Sequence, residues 1–223
     1  LSAAFAATAA LRARDATGQG QVVDVSIVES ILSLLGGPLA AFDQTGVMPM
    51  RAGNRSPNNA PRNVYQTLDG HWVAVSASAQ SIAERVMRLV GRDDLAEEPW
   101  FADSAGRVAH TAELDEAVGS WIADRTRDEV VERFEEAHAA VGPVYDFADI
   151  LDDPHLKARD AVVEVPDPDL GAVRMPGLPF RLSRTPGAIR SAGPGLGEHT
   201  GEVLAEIGIT AHEVRQLRER GVL

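Results

Sequence analysis

Two stretches of this sequence concentrate residue types that can hold a small ligand. The first, Gly53-Asn54-Arg55-Ser56-Pro57-Asn58-Asn59-Ala60-Pro61, gathers amides and turn formers in one long loop. The second, Ser76-Ala77-Ser78-Ala79-Gln80, sets small side chains between a strand-like run and a helix-like run. Backbone N–H groups are free at such a junction, and small residues let a ligand approach the main chain. The other candidates carry less. Thr17-Gly18-Gln19-Gly20-Gln21 has the glycines of a phosphate loop, but they precede the run Gln21 to Val25. A dinucleotide fingerprint follows its strand and opens a helix, so these glycines read as a helix-to-strand turn. His71, His110, His138, His155, His199 and His212 are scattered, with no pair at ligand spacing, and no metal site is expected. His212-Glu213 starts like a zincin motif, yet Gln216 stands where the second histidine is required. Asp152-Asp153 reads as an exposed helix end.

The bulk numbers exclude several function classes. Acidic residues outnumber basic ones by 33 to 21, giving a net charge of -12. Such a surface repels phosphate backbones, so nucleic acid is not an expected partner, although a local basic pocket for a small anion stays compatible with it. With no cysteine, disulfides, thiolate chemistry and zinc–sulfur sites are excluded. The apolar start Leu1 to Leu11 lacks a basic flank and is too short to span a bilayer. It is expected to be a buried helix running to about Arg14, the first helix of a fragment rather than a signal. A cytoplasmic protein without membrane association is expected.

The elements that must position the two stretches can be read from pattern. Gln21 to Val25 is a β-branched run that predicts a strand. Ser26 and Glu29 predict a capping box, opening a mostly buried helix over Ile27 to Leu35 that stops at Gly36-Gly37-Pro38. Leu68-Asp69-Gly70, between Asn63–Thr67 and His71–Ser76, predicts a hairpin. Ser81 and Glu84 predict a capped helix ending near Gly91. Helices are expected over Ala112–Asp124 and over Arg127–Ala140, the latter capped by Thr126 and Glu129. An extended exit comes next at Val141–Tyr145, then a helical turn at Phe147–Leu151 and a break at Asp153-Pro154. A second hairpin is expected from Val162–Val165 and Val173–Met175. After an irregular passage from Pro176 to Gly197, a last helix is expected over Ala211–Arg220, capped by Thr210 and Glu213.

Taken together, AALRARDATGQGQVVDVSIVES, GNRSPNNAPRNVYQTLDGHWVAVSAS, GPVYDFADILDDPHLKAR and GPGLGEHTGEVL resemble the family III CoA-transferases. This is the CaiB/BaiF group of formyl-CoA transferase, carnitine CoA-transferase and α-methylacyl-CoA racemase. The resemblance implies an α/β fold: the C-terminal part of a Rossmann-like large domain interrupted by a smaller α+β domain, in an interlocked homodimer. Residues 1–45 then end the first part of the large domain, and 46–62 are a linker loop. Residues 63–150 form the small domain, and 151–223 return to the large domain with the C-terminal helix. The implied activity transfers CoA between an acyl-CoA thioester and a free carboxylic acid, with the CoA thioester as substrate and no other cofactor. The family's nucleophilic aspartate falls a few residues before Leu1, so no catalytic residue is assigned within the chain. Ser76, Ala77, Ser78, Ala79 and Gln80 correspond to the family's glycine loop, with serine and alanine in place of glycines. Asn54, Pro57, Asn63 and Tyr65 mark a possible active-site loop. Ala79 stands where the racemases carry an acid/base glutamate, which makes a racemase the weaker alternative. A non-catalytic, truncated remnant is the third reading. Helices of a large domain without its sheet would leave apolar surface bare, so the fragment is not expected to fold stably as a monomer.

Overall fold

The computed structural model describes residues 1–223. Its first three helices are α1 (Ser2–Thr17), α2 (Ile27–Leu35) and α3 (Pro38–Thr45), and none holds a buried residue. The sequence led us to expect α1 and α2 inside a core. Instead, Phe5, Ile27 and Leu34 lie largely in solvent, because no other part of this chain packs over them. Gln21–Val25 forms no strand either: it has no neighbour with which to share a hydrogen-bond ladder. Ser26 does cap α2, accepting from the Glu29 N–H at 3.4 Å, though the reciprocal bond of a full capping box is missing. Pro38 opens α3 rather than ending the region. Its ring already holds the helical φ, and its missing N–H costs nothing in a first turn.

The packed part of the molecule begins at Ala60. Strands β1 (Arg62–Gln66) and β2 (Trp72–Ser76) form the expected antiparallel hairpin, with Tyr65 opposite Val73. Its loop is wider than a two-residue turn: the Thr67 N–H donates to the His71 carbonyl at 2.9 Å, and Gly70 takes φ 81°. Along β2, Val73 and Val75 point inward while Trp72, Ala74 and Ser76 face out, the period of two that a half-covered sheet requires. Next come helices α4 (Gln80–Leu89), α5 (Asp93–Ala96), α6 (Ser104–Ala109), α7 (Thr111–Ala123) and α8 (Arg127–Glu136), with a 3₁₀ turn at Pro99–Ala102. The exit segment becomes β3 (Val141–Val144), which pairs antiparallel with β2 and gives the sheet order β1-β2-β3. Leu114, Val118 and Ile122 repeat every four residues and so share one face of α7. They join Val73, Val75, Val86, Met87, Phe101, Val130 and Phe134 in a single core.

Beyond β3 come α9 (Phe147–Asp152), α10 (Pro154–Ala158), the hairpin β4 (Val162–Asp167) with β5 (Gly171–Pro176), α11 (Thr200–Glu206) and α12 (Ala211–Glu219). Thr126 and Glu129 cap α8 reciprocally, as Thr210 and Glu213 cap α12. The cap expected at Ser81 is absent. The helix α4 begins two residues earlier than a Ser81 cap would place it, at Gln80, and leaves Ala79 as an N-cap with no side chain to offer. No helix is long and apolar enough to cross a membrane.

Candidate functional site

The two ligand-compatible stretches meet at their bases, and the group that joins them is Arg107 on α6. This side chain is buried, unusual for a guanidinium, and reaches acceptors on three separate segments. Its Nε donates to the Ala60 carbonyl at 2.9 Å, at the end of the first stretch. One terminal nitrogen donates to the Gln80 side-chain oxygen and, at 3.1 Å, to the Phe101 carbonyl. The other donates to the Ser78 carbonyl at 3.4 Å. A planar fork of N–H groups suits such divergent acceptors, and each bond offsets part of the cost of burying the charge. Burial lowers the guanidinium's pKa from its usual value, while the nearby Asp103 and Glu84 raise it. The Ala77 N–H adds a direct link to the Pro61 carbonyl at 3.0 Å.

Local packing delivers Arg107 to this point. The 3₁₀ turn carries Trp100 and Phe101; Trp100 stacks on His110 with ring centroids 3.9 Å apart, and Phe101 lies under the guanidinium at 5.5 Å. Gly106 lets α6 lie against that turn. A Cβ there would land on the Trp100 carbonyl.

Above this joint the second stretch is open. Ser76, Ser78 and Ala79 are exposed, Gln80 is half-buried, and only Ala77 is buried. The N–H groups of Ser78, Ala79, Gln80 and Ser81 donate to nothing within the chain. Gln80 is itself held twice, accepting from Arg107 and donating to Glu84 at 3.0 Å.

The first stretch has a second anchor. Asp115 on α7, almost fully buried, accepts from the Tyr65 hydroxyl at 2.7 Å, from the Asn63 amide at 3.0 Å and from Arg55 Nε at 2.7 Å. The Tyr65 phenol is pushed well above its ordinary pKa, first by burial and then by donating to this carboxylate. Gly119, one turn along α7, leaves room for the Tyr65 ring. Asn63 and Tyr65 are thus brought together, whereas Asn54 and Pro57 stay exposed on the loop. The β1–β2 turn is also tied to the chain on either side of β3. The Arg127 N–H at the start of α8 donates to Asp69, and the Arg127 side chain pairs with Asp149 on α9 at 2.7 Å.

Arg107 and Asp115 organise both stretches, and sequence reasoning found neither. The segment around Arg107, PWFADSAGRVAH, has proline, glycine and no sustained period. A buried arginine near the end of a short helix leaves no one-dimensional signal. Asp115 was visible only as one acidic residue on an amphipathic helix. A cavity of about 540 Å³ beside β4, lined by Val163, Val165, Leu178 and Phe180 among others, includes none of the candidate residues. No cluster of histidine, aspartate or glutamate is placed to hold a metal ion.

Comparison with known proteins gives a consistent result. The chain is 37% identical over 222 residues to succinyl-CoA–D-citramalate CoA-transferase of Chloroflexus aurantiacus, covering 99% of this chain and 55% of that protein. It is 30% identical to formyl-CoA:oxalate CoA-transferase of Streptomyces avermitilis, over 96% of this chain and 56% of the relative. The chain therefore spans about half the length of the curated relatives it matches. Among solved structures, a CaiB/BaiF family protein from Brucella suis superimposes with a TM-score of 0.75 at 27% identity, over 91% of this chain and 52% of that one. Residues 1–200 match the sequence profile of CoA-transferase family III, and the chain belongs to that family.

Proposed function

We propose that this chain is the C-terminal part of an enzyme that transfers CoA between an acyl-CoA thioester and a free carboxylic acid. The observation that carries the reading is the family match over residues 1–200, together with relatives that are themselves CoA-transferases. In the proposed reaction an aspartate carboxylate, supplied by residues preceding Leu1, attacks the thioester carbonyl and expels CoA thiolate. The thiolate then attacks the aspartyl carbonyl of the mixed anhydride, releasing the first acid and leaving an aspartyl-CoA thioester. The acceptor carboxylate resolves that thioester by the same two steps in reverse. Covalent catalysis of this kind divides one difficult acyl transfer into easier ones.

The Ser76–Gln80 loop covers the intermediate in this reading and keeps water from it. Its open N–H groups and small side chains suit that task, and serine and alanine make it stiffer than a run of glycines. Asn54 and Pro57 are the exposed members of the neighbouring loop, while Asn63 and Tyr65 are its anchors. Residues 63–150 act as the small domain. Residues 1–45 and 151–223 complete a Rossmann-like large domain whose missing cover comes from the preceding half and from a second, interlocked subunit.

Succinyl-CoA, the donor in the names of several relatives, is the first donor to test, with free dicarboxylic acids as acceptors. The intact protein should form one new CoA thioester for each succinyl-CoA consumed. Hydrogen–deuterium exchange at an acyl α-carbon without CoA exchange would overturn the reading in favour of a racemase.

A further inference from the structure

We propose that Arg107 is the positioning residue that sets the covering loop for reaction, an inference that rests on the CoA-transfer reading above. The loop is exposed over most of its length, yet the bonds that tie its second half to an element other than α4 run to this one guanidinium. These are the Ser78 carbonyl at 3.4 Å and the Gln80 side-chain oxygen. The same side chain grips Ala60 and Phe101 at 2.9 and 3.1 Å, so the loop is referenced to two segments of fixed backbone.

The peptide geometry gives this a direct consequence. In a trans peptide the C=O and the following N–H point in opposite directions. With the Ser78 carbonyl drawn inward to Arg107, the Ala79 N–H turns outward, and it donates to nothing in the chain. Arg107 therefore fixes both the height of the loop and the face its N–H groups present. Without it, Ser78 and Gln80 would have no common anchor, and the loop would be free to lift and admit water.

Glutamine and arginine here form a linked pair. Gln80 is oriented by Glu84 as well, so replacing Gln80 loosens the loop while leaving the Ala60 and Phe101 contacts of Arg107 in place. Lysine at 107 keeps a charge but has no fork to span acceptors on three segments.

The test uses the intact protein with Arg107→Lys and Gln80→Leu, succinyl-CoA as donor and a free dicarboxylic acid as acceptor. Two quantities are read: the ratio of succinyl-CoA hydrolysis to CoA transfer, and amide hydrogen exchange at Ala77, the loop N–H that donates to the Pro61 carbonyl at 3.0 Å. Both variants should shift the ratio toward hydrolysis and lower kcat for transfer by roughly a hundredfold, the scale of a misplaced catalytic environment. Amide exchange at Ala77 should quicken while the core helices keep theirs. A purely structural role would lower the melting temperature and leave the hydrolysis ratio unchanged. Should Arg107→Lys fail to fold, Gln80→Leu decides. Unchanged exchange at Ala77 and an unchanged ratio in a folded variant overturn the proposal. If the unsubstituted protein moves no CoA, the functional reading falls, and the exchange measurement still decides whether Arg107 orders the loop.

Discussion

The centre of this chain and its flanks use similar amounts of apolar sequence to opposite ends. Between Ala60 and Phe134 the large hydrophobic side chains face one another across a three-stranded sheet and its helices. Outside that span only Val165 and Val214 are buried, while Phe147 and Leu34 are each 86% exposed. Bare apolar side chains on α1 and α2, such as Phe5, Ile27 and Leu34, with Phe147 on α9, are not what a self-sufficient domain leaves in water. The centre thus carries its own folding information and the flanks do not. A flank helix has periodicity and caps, but no other segment of this chain packs over its apolar side chains. Amide exchange should show the contrast most strongly: slow, global-unfolding exchange in β2, α7 and α8, and fast exchange through α1 to α3. Equal protection in both regions would abolish the distinction.

Matched phenylalanine truncations put the contrast in energetic terms. Phe134→Ala empties a fully buried site and should cost about 3–5 kcal/mol in denaturant unfolding. Phe147→Ala in the same chain should stay within about 0.5 kcal/mol, as expected of a surface change. A large loss from Phe147→Ala would mean that the flank is packed in solution. Next, and comparable in size to Tyr65→Phe, is Gly106→Ala. The added methyl meets the Trp100 carbonyl, so α6 must move off the 3₁₀ turn, at a cost of roughly 1–3 kcal/mol typical of overpacking. Its telling readout is amide exchange at Ala77, because Arg107 is displaced along with α6. Tyr65→Phe should then cost about 1.5–3 kcal/mol, the range for a lost hydrogen bond to a charged group, since Asp115 would keep only Asn63 and Arg55. A neutral Tyr65→Phe would show that the other two donors suffice.

How much of this was legible tracks the same division. The β1–β2 hairpin was readable because Asp69-Gly70 and the alternating valines are local signals, and the Thr126 and Thr210 boxes because caps are local too. The strand at Gln21–Val25 and the burial of α1 and α2 were misjudged because pattern reports what a segment can bury, not whether a partner is present. At the site, the two stretches were found by composition. Their joint was not, because Arg107 unites residues 47 apart in the case of Ala60 and 27 apart in that of Gln80. The Ser81 cap failed for a related reason: Gln80 is held by Arg107 and Glu84, and the helix starts where that tertiary anchor puts it.

The mildest change is expected at the border between the two regions. Asp149 on α9 has its pKa held below the ordinary aspartate value, chiefly by its hydrogen bond from Arg127 and next by the Asp146 N–H. A carboxyl with a depressed folded pKa contributes stability that is present above its unfolded value and lost as pH falls through the folded one. Asp69, which accepts from Thr67 and the Arg127 N–H, is shifted the same way. Asp149 on α9 and Asp69 on the β1–β2 turn both meet Arg127 at the start of α8, while the core beneath is closed by apolar contacts and Asp115. Acidification below the ordinary aspartate range should therefore release α9 before the centre melts. Amide exchange in residues 147–152 should rise at acid pH while α7 stays protected, and Asp149→Asn should show the raised exchange already at neutral pH. If α9 keeps its protection at acid pH with Arg127 and Asp149 both present, the junction is held by something other than this pair, and the border between self-sufficient centre and dependent flank must be drawn further along the chain.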